Sequence, residues 1–254
     1  MSGLNQPEII LALDVDKIKD AEDFVVKLYP KIKYFKIGGQ LFTAYGPDAI
    51  KMVERNGGKV FLDLKFYDIP KTVYSSVASG TSISPSIIAS GPVNIEKTRH
   101  AVMYPVFMMT VHTQGGQLML EAAVKGAEEK SQELDIAKPF IVGVTRLTSD
   151  DNSNTLEEVI KAAKLAKDSG LDGVVCSAQE AKEVRKACGE HFIIVTPGIR
   201  SDKDVMDDQK RIATVEQAVE AGSDFLVIGR PILKAENPIT KTEELLGELY
   251  GARN

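Results

Sequence analysis

The chain has 254 residues, of which 43% are hydrophobic and 26% charged, with a formal net charge of -5. This is a globular composition without a basic footprint for nucleic acid or an anionic membrane surface, so any bound anion must be held by local groups. Cys176 and Cys188 fit no zinc or CxxC pattern, MSGLNQPEII lacks signal-peptide character, and no run of about 18 apolar residues occurs, so a cytoplasmic setting without membrane contact is expected.

Eight short apolar runs follow one another along the chain. They are IILALDV (9–15), YFKIGG (34–39), VFLDLKF (60–66), VFMMTVH (106–112), FIVGVT (140–145), LDGVVCS (171–177), FIIVTPG (192–198) and FLVIGR (225–230). Their apolar residues are continuous rather than alternating, as in parallel strands covered on both faces. Between them, stretches such as TLEEVIKAAKLAKDSG and AQEAKEVRKACGE place apolar residues three and four apart and carry Gly near the end. Eight strands alternating with helices predict an α/β fold, a (β/α)8 TIM barrel in a single domain over 1–254, with a doubly wound open sheet as the alternative. The stretch between Asp68 and His112 is too long for one helix. It predicts a helix, a loop and a second helix over 94–103, an elaboration of the third βα unit around 80–105 and a candidate subunit contact.

In such a barrel the active site lies at the C-terminal ends of the strands. There the sequence sets Asp14 at the end of the first strand, Lys36 in the second, Asp63 and Lys65 in the third, and Asp68 just beyond. Each alone reads as a surface ion pair. Together, two lysines and three carboxylates at one mouth point to chemistry, because barrel interiors are normally aliphatic and unpaired buried charge is costly. Alternating signs keep every member ionised.

The last two runs carry a second signal. TPGIR places Gly198 and Arg200 after the seventh strand, and IGRPI places Gly229 and Arg230 after the eighth. Glycine lets backbone N–H groups approach an anion and arginine adds a charged fork, so these loops form a candidate phosphate site. The polar stretch SDKDVMDDQKRIAT between them is a candidate closing loop, with Gln209 as an amide donor. His112 fits either a catalytic base or a supporting hydrogen-bonded group. Thr145 and Thr148 fit either contacts to a substrate edge or helix caps. HTQGG lacks the spacing of a nucleotide-cofactor loop, and no His or carboxylate cluster supports a metal.

Read together, LALDVD, FKIGGQLF, DLKFYDIPKT, TVHTQGG, VTRLTS, VTPGIRSD and VIGRPI resemble the orotidine 5'-phosphate decarboxylase family over almost the whole chain. The pattern DxKxxDIPxT followed by TPGIR and IGRPI is the specific part. The stretch near 80–105 departs from the compact βα unit usual in the family. The resemblance implies conversion of orotidine 5'-phosphate to UMP and CO2, without cofactor or metal, by a homodimer with shared active sites. It implies that Asp14 binds a ribose hydroxyl and that Lys36, Asp63, Lys65 and Asp68 form a charged tetrad, with Lys65 protonating C6. Asp68 and Thr72 would reach the neighbouring subunit's site. Thr148 would contact the pyrimidine, while Arg200, Gln209, Gly229 and Arg230 would hold the phosphate. Two alternatives remain open at this stage: the related Mg2+-dependent 3-keto-L-gulonate 6-phosphate decarboxylase, which shares the DxKxxD core, and a catalytically silent phosphate-binding barrel.

Overall fold

Each continuous apolar run forms a strand in the computed structural model, which describes residues 6–83, 106–146, 155–200 and 213–252. The strands are β1 (Glu8–Ala12), β2 (Tyr34–Gly38), β3 (Lys59–Phe66) and β4 (Met108–His112), then β5 (Phe140–Val144), β6 (Gly173–Val175), β7 (Ile193–Pro197) and β8 (Phe225–Ile228). All neighbours pair in parallel, and β8 returns to pair with β1 from Glu8↔Phe225 to Leu11↔Ile228. The sheet is therefore a closed eight-stranded barrel, and the open doubly wound sheet is excluded. The first strand stops at Ala12, so Asp14 lies in the turn beyond it rather than at the strand's end.

The connecting helices are α1 (Ile18–Leu28), α2 (Gly39–Tyr45), α3 (Pro47–Arg55), α4 (Pro70–Thr81) and α5 (Gly116–Leu134). They continue as α6 (Thr155–Asp168), α7 (Ala178–Cys188), α8 (Val215–Glu220), α9 (Arg230–Leu233) and α10 (Pro238–Gly251). Local sequence explains their ends. Pro70 occupies the first turn of α4, where its missing N–H costs nothing. The Glu180 carboxylate accepts the Ser177 N–H at 2.9 Å at the start of α7, and Gly189 stops that helix with φ +88°. Helix α4 supplies the first of the two helices expected between β3 and β4. The second, over 94–103, and most of the 80–105 elaboration lie outside the described residues.

Apolar side chains form two layers. Outside the barrel, the strands' outward residues, including Leu11, Ile37 and Leu62, pack against the helices. Inside, Ile10, Tyr34, Phe61, Met108, Val142, Val195 and Phe225 share one cluster. The N-terminal end of the barrel is plugged by aromatic rings: Tyr34, Phe107, Phe140 and Phe225 meet with centroids 4.7–5.6 Å apart. With that end filled, space for a ligand is left at the opposite mouth.

Candidate active site

Alternate residues of a strand face the same side. Tyr34, Phe61 and Met108 face the barrel axis, so Lys36, Asp63 and Thr110, each two residues further on, do so as well. One layer above an apolar interior the barrel lining thus becomes polar.

The charges in this layer form a chain of alternating sign. Asp14 Oδ1 accepts from Lys36 Nζ at 3.0 Å, Lys36 Nζ lies 3.7 Å from Asp63 Oδ2, and Lys65 Nζ donates to the same Oδ2 at 2.8 Å. The inner members are withdrawn from water: the Lys36 and Asp63 side chains are 11% and 12% exposed. Burial alone would push the Asp63 carboxyl up. The ammoniums of Lys36 and Lys65, with hydrogen bonds from Lys65 and Thr110, outweigh it and hold the group below its ordinary value. Asp63 is therefore a carboxylate at neutral pH. Gly38 makes room for this chain, because a Cβ there would lie 2.9 Å from Lys36 Nζ and 3.4 Å from Asp14 Oδ1.

Lys65 departs from regular strand geometry. Its φ is +50°, in the left-handed region that costs a side-chain-bearing residue about 1–2 kcal/mol. The β3–β4 register slips at the same place: Leu62 pairs with Met109, but the next pair is Phe66 with Val111. Such a bulge re-aims side chains at barrel rims. Here both Asp63 and Lys65 line the cavity.

That cavity has a volume of about 510 Å³, within the range of small-molecule sites. The wall that continues past β1 comes from the ends of β7 and β8: Gly198 and Arg200, then Gly229, Arg230 and Lys234. Arg200 is only 6% exposed, and its Nε and Nη2 have no hydrogen-bond partner among the described residues. A buried guanidinium with two open donors beside a cavity is suited to an anion. Gly229 packs against Ala12, whose Cβ would be 3.4 Å from an added side chain. Arg146, after β5, also lines the cavity and pairs through Nη1 with Glu158. Six cationic side chains and two carboxylates thus surround one space in a chain whose net charge is -5.

Of the residues expected at the site, Asp14, Lys36, Asp63, Lys65, Arg200, Gly229 and Arg230 line this cavity together. Asp68 and Thr72 do not; both are exposed, and Asp68 Oδ1 accepts the Ile69 N–H at 2.6 Å. The fifth charge therefore does not join the other four within one chain. His112 also stands outside the cavity lining, its Nδ1 accepting from Gln114 N at 3.4 Å and its ring 5.7 Å from that of Tyr67. Thr145 spends its hydroxyl on the Val175 carbonyl at 2.8 Å and so ties β5 to β6. Thr148 and Gln209 lie outside the described residues. Thr110, Gly38, Arg146 and Lys234 were not anticipated; for Arg146 and Lys234, position at a strand end or beside IGRPI was the available signal. Among the described residues no group of three His, Cys, Asp or Glu side chains could hold a metal ion, and no helix is long and apolar enough to cross a membrane.

A closed (β/α)8 barrel with a lysine–carboxylate chain on one wall and arginines on the other is the frame for comparison with known proteins. A sequence model described as "Orotidine 5'-phosphate decarboxylase / HUMPS family" matches residues 7–245, and the chain belongs to that family. Similar proteins named orotidine 5'-phosphate decarboxylase occur in Trichlorobacter lovleyi (40% identical, covering 95% of each chain) and Legionella pneumophila strain Corby (42% identical, covering 96% of this chain and 99% of the other). The crystal structure of orotidine 5'-phosphate decarboxylase from Lactobacillus acidophilus is similar at a TM-score of 0.77 and 32% identity, covering 96% of this chain and 99% of that one.

Proposed function

We propose that this chain, a carboxy-lyase by its family, removes CO2 from orotidine 5'-phosphate to give UMP by direct decarboxylation, with Lys65 stabilising and then protonating the carbon left behind. The observation that carries the reading is the Asp14–Lys36–Asp63–Lys65 chain facing a cavity whose other wall is cationic. The substrate carries a phosphate and a carboxylate, and those two anions match the two ends of that space.

Loss of CO2 from C6 of the pyrimidine leaves an electron pair that the ring does not delocalise well. Two unit charges 4 Å apart at an effective dielectric of 20 interact by roughly 4 kcal/mol, so an ammonium held at that carbon stabilises the developing carbanion more than water would. The same Lys65 Nζ then gives its proton to C6. Asp63 is kept ionised beside Lys65 and faces the carboxylate that leaves, so their repulsion ends as CO2 departs. Lys36 holds Asp63 in place and Asp14 takes a ribose hydroxyl. At the far end Arg200, Arg230 and Gly229 grip the phosphate, with Gln209 from the loop that closes on it; Thr148 contacts the pyrimidine. Binding energy from the phosphate orders the site for a reaction at the other end of the substrate.

Asp68 and Thr72 act in the site of a second copy of the chain. In support, they are exposed, and the same short segment carries the large apolar side chains of Tyr67 and Ile69, which are 61% and 66% exposed. Such a surface suits a subunit contact in a cytoplasmic homodimer. No cofactor enters this scheme.

The test follows orotidine 5'-phosphate loss by ultraviolet absorbance in the wild type and in Lys65→Ala, with and without EDTA. Turnover that is insensitive to EDTA and falls by many orders of magnitude in Lys65→Ala is expected. Near-normal activity of the variant would remove Lys65 as proton donor. Turnover that EDTA abolishes would count against the metal-free scheme.

A further inference from the structure

Thr110 is completely buried on β4, opposite the register slip that brings Lys65 to the cavity. Its hydroxyl makes two hydrogen bonds of opposite sense. It accepts the Lys65 backbone N–H at 2.8 Å and donates to Asp63 Oδ1 at 3.0 Å. The directions are fixed by chemistry, since an amide N–H only donates, an ionised carboxylate only accepts, and a hydroxyl has one proton.

We propose that Thr110 is a positioning residue for the decarboxylation, setting the Asp63 carboxylate against the Lys65 ammonium by tying the side chain of one to the backbone of the other. The proposal rests on the reading of Lys65 and Asp63 as the reacting pair. The two Asp63 oxygens are used differently: Oδ1 takes the hydroxyl, and Oδ2 is left for Lys65 Nζ at 2.8 Å and Lys36 Nζ at 3.7 Å. With one oxygen held, the carboxylate plane cannot turn away from the two ammoniums. The other bond acts on Lys65 itself. A residue at φ +50° in a strand cannot use the regular β3–β4 ladder, and the Thr110 hydroxyl replaces the missing carbonyl partner. Without it the amide is orphaned and the strained backbone relaxes, swinging Nζ off its aim.

A threonine that merely fills a buried strand position would contribute to stability alone, so the experiment uses readouts that packing does not move. Thr110→Val removes the hydroxyl at nearly constant shape. Thr110→Ser and Thr110→Cys form a second pair that differs only in oxygen against sulfur, and this pair decides if the valine variant does not fold. The activity-independent readout is native-state hydrogen exchange of the Lys65 amide in ligand-free protein, with the Leu62 amide as control. Protection at Lys65 is expected in the wild type and Thr110→Ser and lost in Thr110→Val and Thr110→Cys, with Leu62 protected throughout. In parallel, kcat for orotidine 5'-phosphate should fall by about 10- to 100-fold in Val and Cys, the loss expected for one hydrogen bond to a charged group, and recover in Ser. KM should stay within about threefold, because the aim of a reacting pair matters most in the transition state. Retained Lys65 protection, or unchanged kcat, in the hydroxyl-free variants would overturn the assignment, even if their melting temperatures fell. Lost protection in a protein whose wild type does not decarboxylate the nucleotide would instead refute the functional reading and leave the tether standing.

Discussion

Glu54 sits on α3, which packs against α1, β2 and β3, with its side chain almost fully buried and both carboxyl oxygens lacking a hydrogen-bond partner among the described residues. Burial raises its pKa from 4.5 to about 8, and the nearby Lys51 only partly opposes this. The unfolded chain therefore loses this proton at a lower pH than the folded one. Stability linked to Glu54 is fully present below pH 4.5 and is lost as pH rises through about 8. That interval, at about 1.4 kcal/mol per pH unit, sets a ceiling near 5 kcal/mol, and water reaching the ionised group lowers the expected loss to about 1–3 kcal/mol. Glu54→Gln keeps the shape and cannot ionise. Urea unfolding of both proteins from pH 4 to pH 9, at one protein concentration and without ligand, should show nearly equal stabilities at pH 4 and an advantage for the variant that grows from about pH 5 and levels off by about pH 8. A difference that stays flat across this range would refute the reasoning, because it would mean that the ionised carboxylate is solvated or paired in the fold.

Gly38→Ala should crowd the Lys36 ammonium out of its place between Asp14 and Asp63, so turnover should drop at least about tenfold while the thermal midpoint moves by only a few degrees; full activity would show that Lys36 accommodates a methyl group. Arg200→Ala should raise KM for the nucleotide by about 10- to 100-fold, and the same change should matter far less for orotidine, which lacks the phosphate. Equal losses on the two substrates would place Arg200 elsewhere in the reaction. Mixing inactive Lys65→Ala and Asp68→Ala chains should restore about one working site per mixed dimer, as one site then draws each wild-type residue from a different chain. No recovery after confirmed subunit exchange would count against Asp68 acting across an interface.

The strands were legible because a residue buried on both faces must be apolar whatever its neighbours, and the runs at 9–15, 34–39 and 60–66 report that directly. Asp63 and Lys65 were legible for the converse reason: charge inside such a run has no packing explanation. Asp14, two residues beyond Ala12, lines the cavity although the strand was drawn through it. Thr110 gave no sign, since threonine is an ordinary strand former and its task exists only where β3 and β4 lose register. Gly38 was hidden similarly, because its lack of a side chain matters only once Lys36 lies across it. Sequence spacing alone also grouped Asp68 with the other charges. Two residues past the strand, the chain has already turned away, and only its place outside the cavity lining separates that residue from the rest.

The seam between β1 and β8 joins the two parts of the site. The charge chain comes from the ends of β1, β2 and β3, whereas Arg200, Gly229 and Arg230 follow β7 and β8, and Gly229 lies against Ala12. In synthesis the lysine–carboxylate part of the cavity is therefore made early and the arginine-bearing part nearly last. A chain that still lacks residues 225–230 lacks Gly229, Arg230 and the strand that stands beside Ala12. Pairing of the final strand with the first therefore brings the earliest and the latest parts of the cavity wall side by side.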